Sequence, residues 1–176
     1  MNARFHRALL LALAAGALAA VLPGCVGYRL GSMLPADIRT VYVQPVVNRT
    51  DEPLIEVEAT RAAIREIQID GSLKVVNNKA EADAWLNVVL TGYNLTPIAY
   101  QQNQATATEE YKLVLTASML LTRRRNGEVV VEAPRISGQT TFVLAGDLTS
   151  SKNAALPEAA SDLGRRIVAG MVEAWP

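Results

Sequence analysis

Residues 111–122 constrain the fold more than any other stretch of this chain. Tyr111, Leu113, Leu115, Ala117, Met119 and Leu121 alternate with Lys112, Thr116, Ser118 and Thr122, and only Val114 and Leu120 add apolar bulk to the second set. A period of two places one face in a core and the other toward water. Arg123-Arg124-Arg125 then leads into Asn126-Gly127, two residues that tolerate positive φ, which predicts a two-residue hairpin turn. The return strand is expected over Val129–Val131, broken at Pro134 and resuming from Gln139 to Leu144. An antiparallel sheet with one buried face is therefore required, and something apolar must cover that face.

Two segments have helical period and supply the cover. Leu54, Val57, Ile64 and Ile67 mark the buried side of a helix that ends near Asp70, with Thr50 or Asp51 as cap, Pro53 in the first turn and Gly71 as the left-handed stop. Leu156, Ala160, Leu163, Ile167 and Met171 form a second stripe, predicting a helix from about Leu156 to Trp175. Gly164 and Gly170 within it suggest close packing against the sheet. Strands are expected at Thr40–Val47, where Pro45 marks an edge or an end, at Leu73–Val76 and at Ala84–Tyr93. Residues 94–110, rich in Gln, Thr and Ala around Pro97, read as a long loop. The expected fold class is α+β: two helices on one face of a mixed sheet of four or five strands, in a single domain spanning 39–176.

The N-terminus reads differently. Arg4 and Arg7 precede the run Ala8–Val21, which is apolar apart from Gly16. That is the n-region and h-region of a secretory signal, and it is short of the ~20 apolar residues of a membrane span. Leu22-Pro23-Gly24-Cys25 resembles the bacterial lipobox, in which cleavage before the cysteine leaves an acylated residue; Pro23 departs from the usual pattern. The expected organisation is a signal over 1–24, a lipidated Cys25 and tether over 25–38, then the domain. Several acyl chains, at ~0.8 kcal/mol per CH₂, would anchor a soluble domain firmly. Val26 stands where an aspartate would resemble an inner-membrane retention signal, so the periplasmic face of the outer membrane is the expected address.

Composition now excludes several functions. His6 is the only histidine and Cys25 the only cysteine. A body without residues 1–24 has no imidazole for a triad, a Cys-His pair or a His-ligated metal, and no partner for a disulfide. It keeps 15 basic and 17 acidic groups, because only Arg4 and Arg7 of the charged residues leave with the signal. A net charge of −2 without aromatic-basic interleaving argues against nucleic acid as a partner. No catalytic residue, metal ligand or cofactor site is expected. Carboxylate neighbours such as Glu109-Glu110 would point to opposite faces of a strand and could not flank one bond.

The order of motifs resembles a known family. Gly27-Tyr28-x-Leu30 follows the cysteine, then come Val41-Tyr42-Val43 and Asn48-x-Thr50. Gly71-x-Leu73-x-Val75-Val76, Ala82-Asp83-Ala84-x-Leu86, Tyr93 and the long hairpin complete the series. Together they resemble the lipopolysaccharide-assembly lipoprotein family, LptE, over nearly the whole mature chain. The resemblance implies two helices on a four-stranded sheet. It also implies a large outer-membrane β-barrel of the LptD type as partner, help in that barrel's assembly, and direct binding of lipopolysaccharide. The rival class is another outer-membrane lipoprotein adaptor, such as an activator of peptidoglycan synthesis or a secretion or efflux assembly factor.

Within that resemblance Arg123, Arg124 and Arg125 are the candidate ligand residues. Guanidinium groups at a strand tip offer bidentate donors to lipid A phosphates or inner-core carboxylates. Alternation sends Arg123 and Arg125 to one side and Arg124 to the other. The competing reading is a solubilising hairpin tip. Asp83 reads as a cap at the start of an element, and Arg165-Arg166 as a solvated or partner-facing pair.

Overall fold

The computed structural model describes residues 34–101 and 104–172, with backbone alone for 100–101 and 104–109. The signal, Cys25, most of the tether and Trp175 lie outside the described residues. In chain order the elements are β1 (Thr40–Val43), β2 (Val47–Asn48), α1 (Ile55–Asp70), β3 (Lys74–Val75), β4 (Ala84–Gln101), β5 (Gln104–Arg123), β6 (Val129–Val143) and α2 (Leu148–Val172).

One mixed sheet runs in the order β3-β1-β4-β5-β6, and β2 pairs with β4 beyond the end of β1. Neighbours β1, β2 and β3 make parallel pairs, whereas β4, β5 and β6 form an antiparallel meander. The sheet thus has six strands rather than four or five. The chain leaves the strand path at Gln44–Val46, around Pro45, and the 40–48 segment becomes two strands instead of one.

Alternation places Leu86, Val88 and Leu90 of β4 beside Leu113, Leu115, Ala117 and Leu121 of β5, all fully buried. Burial of each Leu is worth about 1.5–3 kcal/mol. Both helices cover this face, so the α+β single-domain architecture is as expected. Their details are not. On α1 the buried residues are Ile55, Ala59, Ala62, Ala63, Glu66 and Ile67, whereas Leu54 and Val57 are 70% and 41% exposed. The buried face is rotated from the stripe of large residues, because α1 meets α2 through small ones. Gly164 is the closest approach: a Cβ there would stand 2.7 Å from Glu66 Cγ and 3.0 Å from Ala62 O. It faces α1, not the sheet; Gly170 does face the sheet, at Met119.

The cap of α1 also differs. Leu54 holds the cap position at φ 68° without a side-chain hydrogen bond. Asn48 organises the approach instead, its Nδ2 donating to Glu52 O (2.7 Å) and Glu56 Oε2 (3.0 Å). Gly71 ends the helix as expected, at φ 75° with its N–H on Ile67 O.

Residues 94–101 and 104–110 are the largest departure. They are no loop: β4 and β5 continue through them as an antiparallel ribbon, pairing Leu95 with Leu113 and Tyr100 with Thr108. Likewise β6 crosses Pro134 without ending. Ala133 pairs with Met119 and Ile136 with Ala117, so a bulge absorbs one extra residue. Helix α2 begins at Leu148, eight residues before the expected start, and carries Pro157 inside it. A proline near the first apolar residue of a stripe looks like a helix start; here it costs the N–H that would bond Asn153 O.

Candidate functional site: the arginine turn and the end of the tether

The three arginines sit where β5 ends, beside the first described residues of the chain. Arg123 N–H donates to Glu128 O at 2.8 Å and Arg123 O accepts from Gly127 N–H at 2.9 Å. The loop therefore holds four residues, 124–127, and not the two-residue turn expected at Asn126-Gly127. Of these only Gly127 has positive φ (71°), and Asn126 does not adopt it.

Each guanidinium meets a different environment. Arg123 is 8% exposed; its Nη1 donates to Asp37 Oδ2, and its Nε lies 3.2 Å from Glu128 Oε2. Arg124 turns the other way, its Nε donating to Ala82 O at 2.7 Å and its main-chain N–H to Asp83 O at 2.9 Å. The Arg125 side chain is 69% exposed, with Nη2 3.6 Å from Asp37 Oδ2. Arg123 and Arg125 thus share Asp37, and Arg124 is apart, as alternation anticipates. The structure does not gather the three into one cradle. A buried Arg123 stabilises the turn only because two carboxylates accompany it.

Asp37 is the residue that sequence reasoning misses, since it lies in a segment that reads as tether. The hydrogen bond from Arg123 holds its carboxyl below the usual carboxylate range. Leu34 and Pro35 line a hollow of about 210 Å³ with Arg123, Glu128, Val129 and Met171. Asp83 behaves as a cap. Its Oδ2 accepts from the N–H groups of Arg39 and Thr40 and from Thr40 Oγ1, at 3.0, 2.9 and 2.8 Å. The Thr40 hydroxyl, then the Arg39 amide, lower its pKa.

A second feature lies toward the opposite end of the sheet. Lys152 Nζ bonds both oxygens of Glu52, at 2.7 and 2.9 Å, and stands 6.0 Å from the Tyr93 ring centre. Burial, with the Glu52 charge second, pushes the Tyr93 hydroxyl up to about 12. A cleft of about 710 Å³ opens here between α1 and α2, walled by Leu54, Val57, Leu156 and Pro157. Arg165 and Arg166 are exposed on α2 and meet Asp162 at 3.3 and 3.9 Å. Among the described residues no helix is long and apolar enough to cross a membrane.

Residues 38–171 match the family described as "LptE: Lipopolysaccharide-assembly". The chain belongs to that family. LptE proteins are non-enzymatic lipopolysaccharide-assembly lipoproteins, and the matched span runs from the end of the tether to the last turns of α2. No curated protein matches the sequence. Among solved structures, similarity extends to a dodecamer of a PelC point variant from Paraburkholderia phytofirmans (15% identity, 81% of this chain and 94% of that one, TM-score 0.49). It extends also to the minor lipoprotein from Acinetobacter baumannii (15%, 78% and 92%, 0.46) and to rare lipoprotein B from Shewanella oneidensis (10%, 74% and 92%, 0.45).

Proposed function

We propose that this LptE-family protein is lipidated at Cys25 after loss of residues 1–24 and resides on the periplasmic face of the outer membrane. There it forms a complex with a large β-barrel of the LptD type, assists that barrel's assembly and takes part in delivering lipopolysaccharide to the outer leaflet. The observation that carries this reading is the family match over 38–171. Co-purification tests it: one dominant large β-barrel is the expected partner, and a periplasmic enzyme in its place would overturn the reading. Cys25→Ala should yield a soluble periplasmic form without fatty-acid label.

Lipopolysaccharide binding is part of the proposal, and the unequal exposure of the three arginines supports assigning it to Arg125. Arg123 and Arg124 are committed to Asp37, Glu128 and Ala82, whereas the Arg125 guanidinium, 3.6 Å from Asp37, keeps most of its surface in water, where it can meet a phosphate. Arg125→Ser should weaken lipopolysaccharide capture at moderate salt while barrel association and folding persist. Unchanged capture would remove the turn from the ligand site.

A further inference from the structure

The two long edges of the sheet are treated differently by the sequence. Strand β6 carries Glu132, Arg135, Pro134 and a bulge, and Asp162 of α2 accepts the Gln139 N–H at 3.0 Å. These are devices that discourage a further strand. The opposite edge belongs to β3, which covers β1, then to β2 and then to β4 itself. Strand β2 pairs only Val47 with Val89 and Asn48 with Leu90, and its last bond runs from Arg49 N–H to Leu90 O at 3.0 Å. Beyond that point β4 has no neighbour on this side among the described residues.

The main chain there is directed outward. Gln44 N–H and Arg49 N–H bond Leu86 O and Leu90 O, so those residues aim their polar groups at this edge. The register shift between Leu90 and Gly92 inserts Thr91, after which Gly92 and Asn94 turn toward β5 and Tyr93, Leu95 and Pro97 turn outward. The edge offers two N–H groups and three carbonyls. Its sequence has none of the usual guards except Pro97, for no charged residue occurs from Ala84 to Thr108. Asn94 and Thr96 are exposed and Ile98 is 46% exposed. A hollow of about 340 Å³, lined by Arg49, Asp51, Gly92 and Tyr93, opens where β2 departs.

We infer that the β4 edge from Tyr93 to Pro97 is a docking edge for an unpaired extended segment of a partner protein, added as a further strand. A second copy of this chain fits less well. Antiparallel pairing centred on Leu95 would set Tyr93 against the partner's missing Pro97 N–H and leave both Tyr93 carbonyls without a donor. A foreign segment with an ordinary residue at that position satisfies all five groups. The inference rests on the barrel partnership proposed above and deepens it. A closed barrel has no free strand edge, so the docking segment would be one of its loops or a terminal stretch.

Amide exchange on the full-length protein, free and in complex with its large outer-membrane barrel, tests this. Tyr93 and Leu95 amides should exchange at least about tenfold more slowly in the complex. Gly92 and Asn94, already bonded to β5, serve as controls. Leu95→Pro removes an outward N–H without touching the β4–β5 ladder, and should lower barrel recovery by roughly tenfold. Equal Tyr93 and Leu95 exchange rates in both states overturn the inference, whether or not the proline variant folds. Equal recovery with a folded Leu95→Pro protein overturns it too. Failure of the wild-type protein to retain any barrel overturns the partnership itself, and the inference with it.

Discussion

The two ends of β5 are built on opposite principles. At Arg123 the chain is held by side chains: Asp37 and Glu128 around one buried guanidinium, Arg124 on Ala82 O, and Asp83 capping β1. At Gln104 the ribbon with β4 runs through a charge-free stretch and is held by its main-chain ladder. Charged contacts specify one arrangement and exclude others; a bare ladder adds whatever strand is offered. The first end thus reads as a fixed support and the second as a surface with capacity to spare. Between them lies the core that both depend on.

The largest expected effect breaks that common core. A Cβ on Gly138 would stand 2.2 Å from Leu163 N and 2.6 Å from Ala159 O, both backbone atoms of α2. Gly138→Val should therefore cost about 3 kcal/mol or more, or prevent folding, as read from urea denaturation. Next comes the arginine end itself. Arg123→Ala empties a buried position and removes its hydrogen bonds to two half-exposed carboxylates, and should cost about 1–3 kcal/mol, whereas Arg125→Ser should stay within about 0.5 kcal/mol. Equal losses from the two would mean that the turn is only a solubilising tip.

Acid sharpens the contrast further. The carboxyls of Asp37 and Asp83 titrate below their ordinary range, so their contribution is present above that range and lost as pH falls through the lowered values. Stability should fall below about pH 4, and Asp83→Asn should flatten that acid limb in thermal melts. Asp147, whose carboxylate caps Ser150 N–H at 2.9 Å, is a third such group, and its replacement should loosen only the start of α2. The smallest expected effect is a gain. Leu54 is 70% exposed at φ 68°, so Leu54→Gly should relieve strain and stabilise by up to about 1 kcal/mol.

Legibility in the sequence divides along the same line. Residues 111–122 are readable because their period of two persists without interruption, and Gly71 because a left-handed stop admits few residue types. Residues 94–110 mislead because strand and loop differ there only in pairing, and Gln, Thr and Ala carry little hydrophobic contrast across a ribbon that overhangs the core. The buried face of α1 is hard to place because alanines, not leucines, mark a tight helix-helix contact. At the candidate site the arginines are visible as a run. Their unequal roles are not, since Asp37 lies 86 residues away from Arg123 in sequence and meets it only in the fold.

The Asp37–Arg123 contact has a mechanical meaning. It moors the chain beside Ala84, the first residue of β4, which pairs with Arg123. Strand β4, with 18 residues, is an arm of roughly 60 Å extending from that mooring. Loosening the mooring would pass the load to the Thr40–Asp83 bonds and leave the far tip of that arm unaltered.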